Sequence, residues 1–288
     1  MTDTAGTDTA PTDTAPTDTT ATDTTATDTT GTYGTPAPRG AWVIGGGSGI
    51  GRATALRLAR DGYRVAVSGR REALLAETVA EITGAGGLAL SVPVDVTDED
   101  SVTAAHRAAA DGAGPLEVLV CSAGTNVPNR WWAELTGGDF DRVVDTNLNA
   151  VVRCVLAVLP GFRTAGFGQI VVVSSWAGRH YMSAAGAAYS ASKTALGALV
   201  ETLNDQEGRH GVRATHLCPG EVDTPILRTR PVPPPPEEIA RMLVPEDVAD
   251  VVASVTALPP HVCVNELVVT PVWNRMYVDN SAYRPDGG

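Results

Sequence analysis

From Ala41 onward, short apolar runs alternate with stretches of helical character, and no other property of the chain limits its fold as strongly. The runs cover 41–44, 64–68, 88–94, 116–121, 169–174, 212–217 and 266–270. Helical segments fall near 50–61, 71–84, 98–111, 138–165, 184–209 and 245–258. Runs that are apolar almost throughout read as strands covered on both faces, the condition of a parallel sheet between helical layers. The alternation therefore predicts an α/β fold: a doubly wound parallel sheet of about seven strands with helices on both faces. Internal linkers are too short for a domain boundary before the proline-rich stretch at 231–236, which leads back into one more helix and strand. Residues 39–288 are expected to form one domain, with 225–244 as a loop over the substrate.

Residues 1–38 are of another kind. Thr-Asp-Thr recurs every five residues from Thr2 to Thr27, and the stretch holds six Asp and no Lys or Arg. So little of it can be buried that disorder is expected. Half of the net charge of −12 lies there. An acidic balance argues against nucleic acid or an anionic membrane as partner. No apolar run approaches the ~18 residues of a membrane span, and the N-terminus lacks the basic-then-apolar order of a secretory signal. Cys121, Cys154, Cys218 and Cys263 are far apart, form no Cys-x-x-Cys pair and have no nearby His at metal-ligand spacing. They read as free thiols, buried at Cys121 and Cys218, in a reducing cytoplasm, and no metal is expected.

The first strand runs into Gly45-Gly46-Gly47-Ser48-Gly49-Ile50-Gly51, and a helix follows at once. Glycines at 45, 49 and 51 permit a tight turn and close approach of backbone to a pyrophosphate, while the helix N-terminus offers free N–H groups. Gly47, Ser48 and Ile50 would share that contact. The second strand ends at Arg70, where a carboxylate would hold the 2′-OH of NAD and a guanidinium pairs with the 2′-phosphate of NADP. NADP(H) is favoured on that residue, with NAD(H) the alternative. Asp95-Val96 would meet the adenine edge, unless Asp95 is only a turn or cap residue. Ser122-Ala123-Gly124 would let ribose and nicotinamide pass close by, and Pro219, Gly220, Val222 and Thr224 would turn beside the carboxamide.

Tyr189 and Lys193 are four apart in a helical run, so both occupy one helical face. A phenol titrates near ~10 and needs its anion stabilised to exchange protons at neutral pH. An ammonium one turn away supplies that stabilisation. Ser174-Ser175 ends the fifth strand, where ligands bind in such sheets, and a serine hydroxyl there could hold a carbonyl beside the tyrosine. Asn147 lies inside an apolar helix, and its amide needs partners: a structural bridge or part of a proton path. Trp131, Trp132, Trp176, His180, Tyr181 and Met182 fall near the expected pocket mouth, with Arg130 and Arg179 as possible carboxylate anchors; lid packing or subunit contact explains each equally well.

In order and spacing, Gly45-x-x-x-Gly49-x-Gly51, Asp95, Ala123-Gly124, Asn147, Ser175, Tyr189-x-x-x-Lys193 and Pro219-Gly220-x-Val222-x-Thr224 resemble the short-chain dehydrogenase/reductase family over about residues 40–272. The resemblance implies a Rossmann fold and hydride exchange between NADP(H) and a small carbonyl or alcohol substrate. Tyr189 would be the general acid/base, and Lys193 would lower its pKa and bind the nicotinamide ribose. Ser175 would orient the carbonyl, and Asn147 would hold a water in a proton relay. It also implies a homodimer or homotetramer, with 143–159 and 194–203 as candidate faces. The C-terminal part resembles the branch of NADP-dependent 3-hydroxy acid and serine dehydrogenases. Cys121-Ser122 departs from the family's Asn-Asn, Ser48 stands where many NADP users carry a basic residue, and the serine-to-tyrosine interval leaves Ser174 and Ser175 both open. A sensor that has lost catalysis, or an isomerase or dehydratase on the same fold, is the alternative function.

Overall fold

A computed structural model describes residues 39–278. The Thr-Asp-Thr stretch, with its expected boundary at residue 38, lies outside the described residues. Seven parallel strands form one sheet: β1 (Arg39–Ile44), β2 (Tyr63–Gly69), β3 (Leu88–Pro93), β4 (Leu116–Cys121), β5 (Gly168–Val173), β6 (Val212–Pro219) and β7 (Glu266–Val269). Their spatial order is β3-β2-β1-β4-β5-β6-β7. Register is close across the centre, where Val43 faces Val67 on one side and Val120 on the other. The order reverses between β1 and β4, so the connections after these two strands part and leave a crevice at their C-terminal ends.

The two-residue period of a strand sorts the core into two layers. Trp42, Ile44, Leu119, Ile170 and Val172 face α3 (Glu99–Ala113) and α5 (Ala150–Ala165), meeting Val102, Ala109, Val155 and Val158. Ala41, Val43, Val65, Val67 and Val120 face the other way, toward Leu58, Leu75 and Val252 of α1 (Gly49–Arg60), α2 (Glu72–Gly84) and α8 (Pro245–Thr256). Trp42 is fully buried and spends its one donor across the sheet, Nε1 to Ser68 Oγ at 2.8 Å.

Helix starts follow capping chemistry. Asp98 accepts from the backbone N–H of Asp100 and Ser101 ahead of α3, and Thr136 accepts from Asp139 N ahead of α4 (Gly137–Val144). The expected helix over 138–165 is interrupted: Asp145–Asn149 forms a π turn between α4 and α5. The whole stretch Gly137–Ala165 is nonetheless long and apolar enough to cross a membrane, contrary to the expectation that no run approaches that length. Its apolar side is accounted for by the core, since Val151, Cys154, Val158 and Phe162 are buried against the sheet. α6 (Ala187–Glu207) follows Gly186, whose φ of +79° excludes most side chains. The stretch 225–244 is more ordered than a bare loop: a 3₁₀ turn at Pro225–Thr229 precedes the short α7 (Pro236–Ile239). A last short helix, α9 (Arg275–Val278), ends the described chain.

Candidate functional site

A cleft of about 740 Å³ opens at the crevice between β1 and β4. Gly45 turns the chain at φ +82°, and a Cβ there would lie 2.7 Å from Ala123 N, so the loops after β1 and β4 touch backbone to backbone. Gly51 serves packing instead: its Cβ would strike the Gly45 carbonyl, so only glycine lets α1 start beneath its own loop. Gly45, Gly47, Ser48, Gly49, Ile50, Arg70, Asp95, Val96, Ser122, Ala123, Gly124, Tyr189, Lys193 and Thr224 all line this cleft. Pro219, Gly220 and Val222 do not; they hold the turn. Gly220 N donates to Val269 O at 2.7 Å, and Val222 pairs with Leu243.

Arg71, not singled out from the sequence, also lines the cleft, and its Nη2 donates to Ser48 Oγ at 2.8 Å. Two guanidiniums thus stand beside the second strand's tip, and one of them reaches the position where Ser48 itself brings no charge. Asp95 forms an Asx turn, accepting from Thr97 N at 3.0 Å and Thr97 Oγ1 at 2.7 Å. Those bonds, with Arg70 and Arg153 nearby, hold its carboxyl below the usual range despite some burial. Asn147 is fully buried and grips the loop after β4: Oδ1 accepts from Thr125 N at 2.8 Å, and Nδ2 donates to Thr125 O at 2.9 Å and to Ser192 Oγ at 3.2 Å. These bonds bridge that loop to α6.

The serines part company. Ser174 lines the cleft, and its Oγ is buried and donates to Lys193 O at 3.0 Å, while Ser175 Oγ accepts from Ala177 N at 3.2 Å. Lys193 is 4% exposed, and its Nζ donates to Val173 O at 2.9 Å, 5.8 Å from the Tyr189 ring centroid. Burial brings its pKa down to about 8. Burial pushes the Tyr189 phenol up, while Ser175, Arg230 and Arg130 pull it back.

Other expectations are sorted by position. Arg179 does not reach the phenol; its Nε pairs with Glu266 at 2.8 Å on the β7 side. Trp176 is buried and stacks on His180 at 4.0 Å between ring centroids, while Trp132 and Tyr181 stand in solvent. His216 and Cys218 share one face of β6 and meet Glu266, with ligand atoms within 4.8 Å of one another, a juxtaposition missed when the cysteines were read as lacking a nearby His. Burial pushes the Cys218 thiol up to about 11, so at neutral pH the cluster holds a neutral thiol beside the His216–Glu266 contact of 3.2 Å.

A glycine-turn cleft at the switch point of a doubly wound parallel sheet defines a dinucleotide-binding protein of Rossmann type. More specifically, the chain belongs to the short chain dehydrogenase family, whose pattern matches residues 39–232, and so to the dehydrogenases and reductases acting between CH–OH and C=O. It is 32% identical over 248 residues to the glycine betaine reductase ATRR of Emericella nidulans, covering 82% of this chain but 19% of that much longer protein. Over 189 residues it is 41% identical to the short-chain reductase NovJ of Streptomyces niveus, covering 65% of this chain and 70% of that one. An alcohol dehydrogenase from Thermococcus sibiricus, solved with 5-hydroxy-NADP, superposes with a TM-score of 0.74 at 30% identity over 83% of this chain and 98% of that one.

Proposed function

We propose that this protein is an NADP(H)-dependent oxidoreductase interconverting a ketone or aldehyde and the corresponding alcohol. The observation that carries the reading is the convergence of Tyr189 and Lys193 with Arg70 and Arg71 on one cleft. The cradle fits the cofactor: backbone at Gly45 approaches the opposite loop with no room for a side chain, and the helix N-terminus at α1 suits a pyrophosphate. Bound NADP(H) would supply the hydride. Arg70 and Arg71 present guanidiniums to a 2′-phosphate, as the neighbour solved with 5-hydroxy-NADP makes reasonable. Tyr189 gives its phenolic proton to the carbonyl oxygen in reduction and takes it back in oxidation. Ser175 donates to the same oxygen and fixes its orientation. Lys193 is assigned the ribose hydroxyls. Asn147 keeps the loop after β4 at the height the ribose needs.

Self-association is proposed through the α4–α5 side, where Val152 and Leu156 are exposed on α5. The catalytic reading is tested by following NADPH and NADH oxidation across ketones, aldehydes and oxo acids. NADPH is expected to support turnover better than NADH, and Tyr189→Phe to lower kcat by roughly 10²–10⁴-fold while NADPH still binds. Full turnover in Tyr189→Phe would remove the tyrosine from the chemistry. NADPH binding with no turnover of any carbonyl would favour the sensor reading.

A further inference from the structure

His216, Cys218 and Glu266 converge near the edge of the sheet, outside the set of residues that line the cleft. Strand geometry brings them together. His216 and Cys218 are two apart on β6, so they stand on one face. β7 pairs with β6 in parallel, with Glu266 opposite His216, which puts the carboxylate on that face too. His216 and Cys218 are buried, whereas Glu266, on the sheet's last strand, reaches solvent.

The spacing of the three donors is that of a coordination shell. His216 Nδ1 lies 3.2 Å from Glu266 Oε2 and 3.5 Å from Cys218 Sγ, and one ligand atom from each residue lies within 4.8 Å of the others. Atoms bound tetrahedrally to a zinc ion at about 2.0–2.3 Å are roughly 3.3–3.6 Å apart. Two edges of such a shell are therefore in place, and the third closes by movement of Glu266, the one ligand that is not buried. Arg179 Nε takes Glu266 Oε1 at 2.8 Å and leaves Oε2 facing the imidazole. A partner of this kind orients a ligating carboxylate without replacing it. Gly197 of α6 lies against the ring: a Cβ there would stand 3.3 Å from Cε1 and 3.4 Å from Nδ1, so glycine keeps that flank of the imidazole clear.

We propose that His216, Cys218 and Glu266 bind one zinc ion, with water as the fourth ligand on the solvent side of Glu266. Thiolate, imidazole and carboxylate together suit zinc, whereas magnesium and calcium take oxygen ligands alone. Coordination forms a bond from sulfur to the ion and releases the thiol proton to water, while the imidazole binds through Nδ1 and keeps its proton on Nε2. The ion clasps the edge strand β7 to β6 just before the turn at Pro219. The site is independent of the redox reading and stands or falls without it.

Cobalt(II), a coloured substitute for zinc, tests this in the full-length protein without cofactor or substrate. One equivalent is expected to give a thiolate-to-cobalt charge-transfer band with the intense visible bands of a four-coordinate ion. Zinc should abolish both, and magnesium should leave them unchanged. Cys263, the exposed thiol, is controlled by Cys263→Ser, which should behave as the wild type. Cys218→Ser should lose the charge-transfer band, and His216→Gln and Glu266→Gln should each weaken cobalt binding by at least roughly tenfold. Zinc should also raise the Tm of the wild type and not that of Cys218→Ser. Glu266 is at the surface, so its variant keeps the test open if a substitution at Cys218 or His216 does not fold. Binding without a thiolate band is adventitious uptake by surface carboxylates and overturns the proposal. So does a band that survives in Cys218→Ser, an affinity unmoved in Glu266→Gln, or no cobalt binding at all.

Discussion

A lysine that is 4% exposed and bonded to a backbone carbonyl is charged at a cost, and the cost is visible in pH. The Lys193 pKa stands at about 8 in the folded protein against the ordinary lysine value of 10.5. Between those values the unfolded chain keeps a proton that the folded one has already released, so stability rises with pH across that window. The gain approaches about 3 kcal/mol at its upper end, since each pKa unit is worth ~1.4 kcal/mol. Urea titrations of the cofactor-free protein from pH 7.5 to 10.5 are expected to show this rise in the wild type and not in Lys193→Met. Cys218, raised to about 11, works in the opposite direction over a similar range but is common to both proteins, so the difference between them isolates the lysine. A wild type and variant with parallel pH curves would mean that Lys193 is solvated. The Val173 carbonyl, supplied by the strand beneath, holds its ammonium.

At the level of elements, the glycine turn and α1 are one device. Because a Cβ at Gly51 meets the Gly45 carbonyl, Gly51→Ala is expected to lift the turn from the helix and cost roughly 1–3 kcal/mol as an overpacked contact. NADPH affinity, followed by its fluorescence, should fall with it; unchanged affinity would mean that the turn relaxes without losing its shape. This device was legible in the sequence because a strand, three spaced glycines and a helix lie within a dozen residues. The strands were legible for the same reason, each being a local apolar run. The π turn at Asp145–Asn149 was not, since a helix that tightens or widens by one residue keeps the same apolar pattern in sequence. Arg71 on Ser48 was equally hidden: it joins residues from separate segments, and only folding brings them together. Arg179 misled because its neighbours Ser175 and Trp176 are at the site while its own side chain turns toward β7. What separates Ser174 from Ser175 needed the strand's end in three dimensions, where the first hydroxyl meets the α6 backbone and the second the N–H of Ala177.

At the scale of the molecule, a buried ion network ties the far end of the chain to the site. Glu221, just beyond β6, receives Arg230 from the 3₁₀ turn and Arg275 from α9, and Arg275 also reaches Glu238 in α7. Although burial opposes its charge, the bonds to Arg275 and Arg230 hold Glu221 below the ordinary carboxylate value. A carboxylate so depressed stabilises the fold above its unfolded pKa, and the contribution is lost as pH falls through the lower folded value. Arg275→Met removes a partner from two carboxylates at once and is expected to cost roughly 2–4 kcal/mol, or a fall in Tm of about 5–12 °C at neutral pH. The deficit should shrink below pH 4, where the wild type loses the same bonds; a constant deficit would assign the effect to packing alone. The sheet order gives the architecture a further consequence. Groups proposed for the cofactor's adenosine end hang from β1, β2 and β3, those proposed for the substrate hang from β5, β6 and their connections, and the two sets meet only after β4. A chain laid out in this way can trade one substrate for another by rewriting its second half while its choice of coenzyme, written in the first, is inherited unaltered.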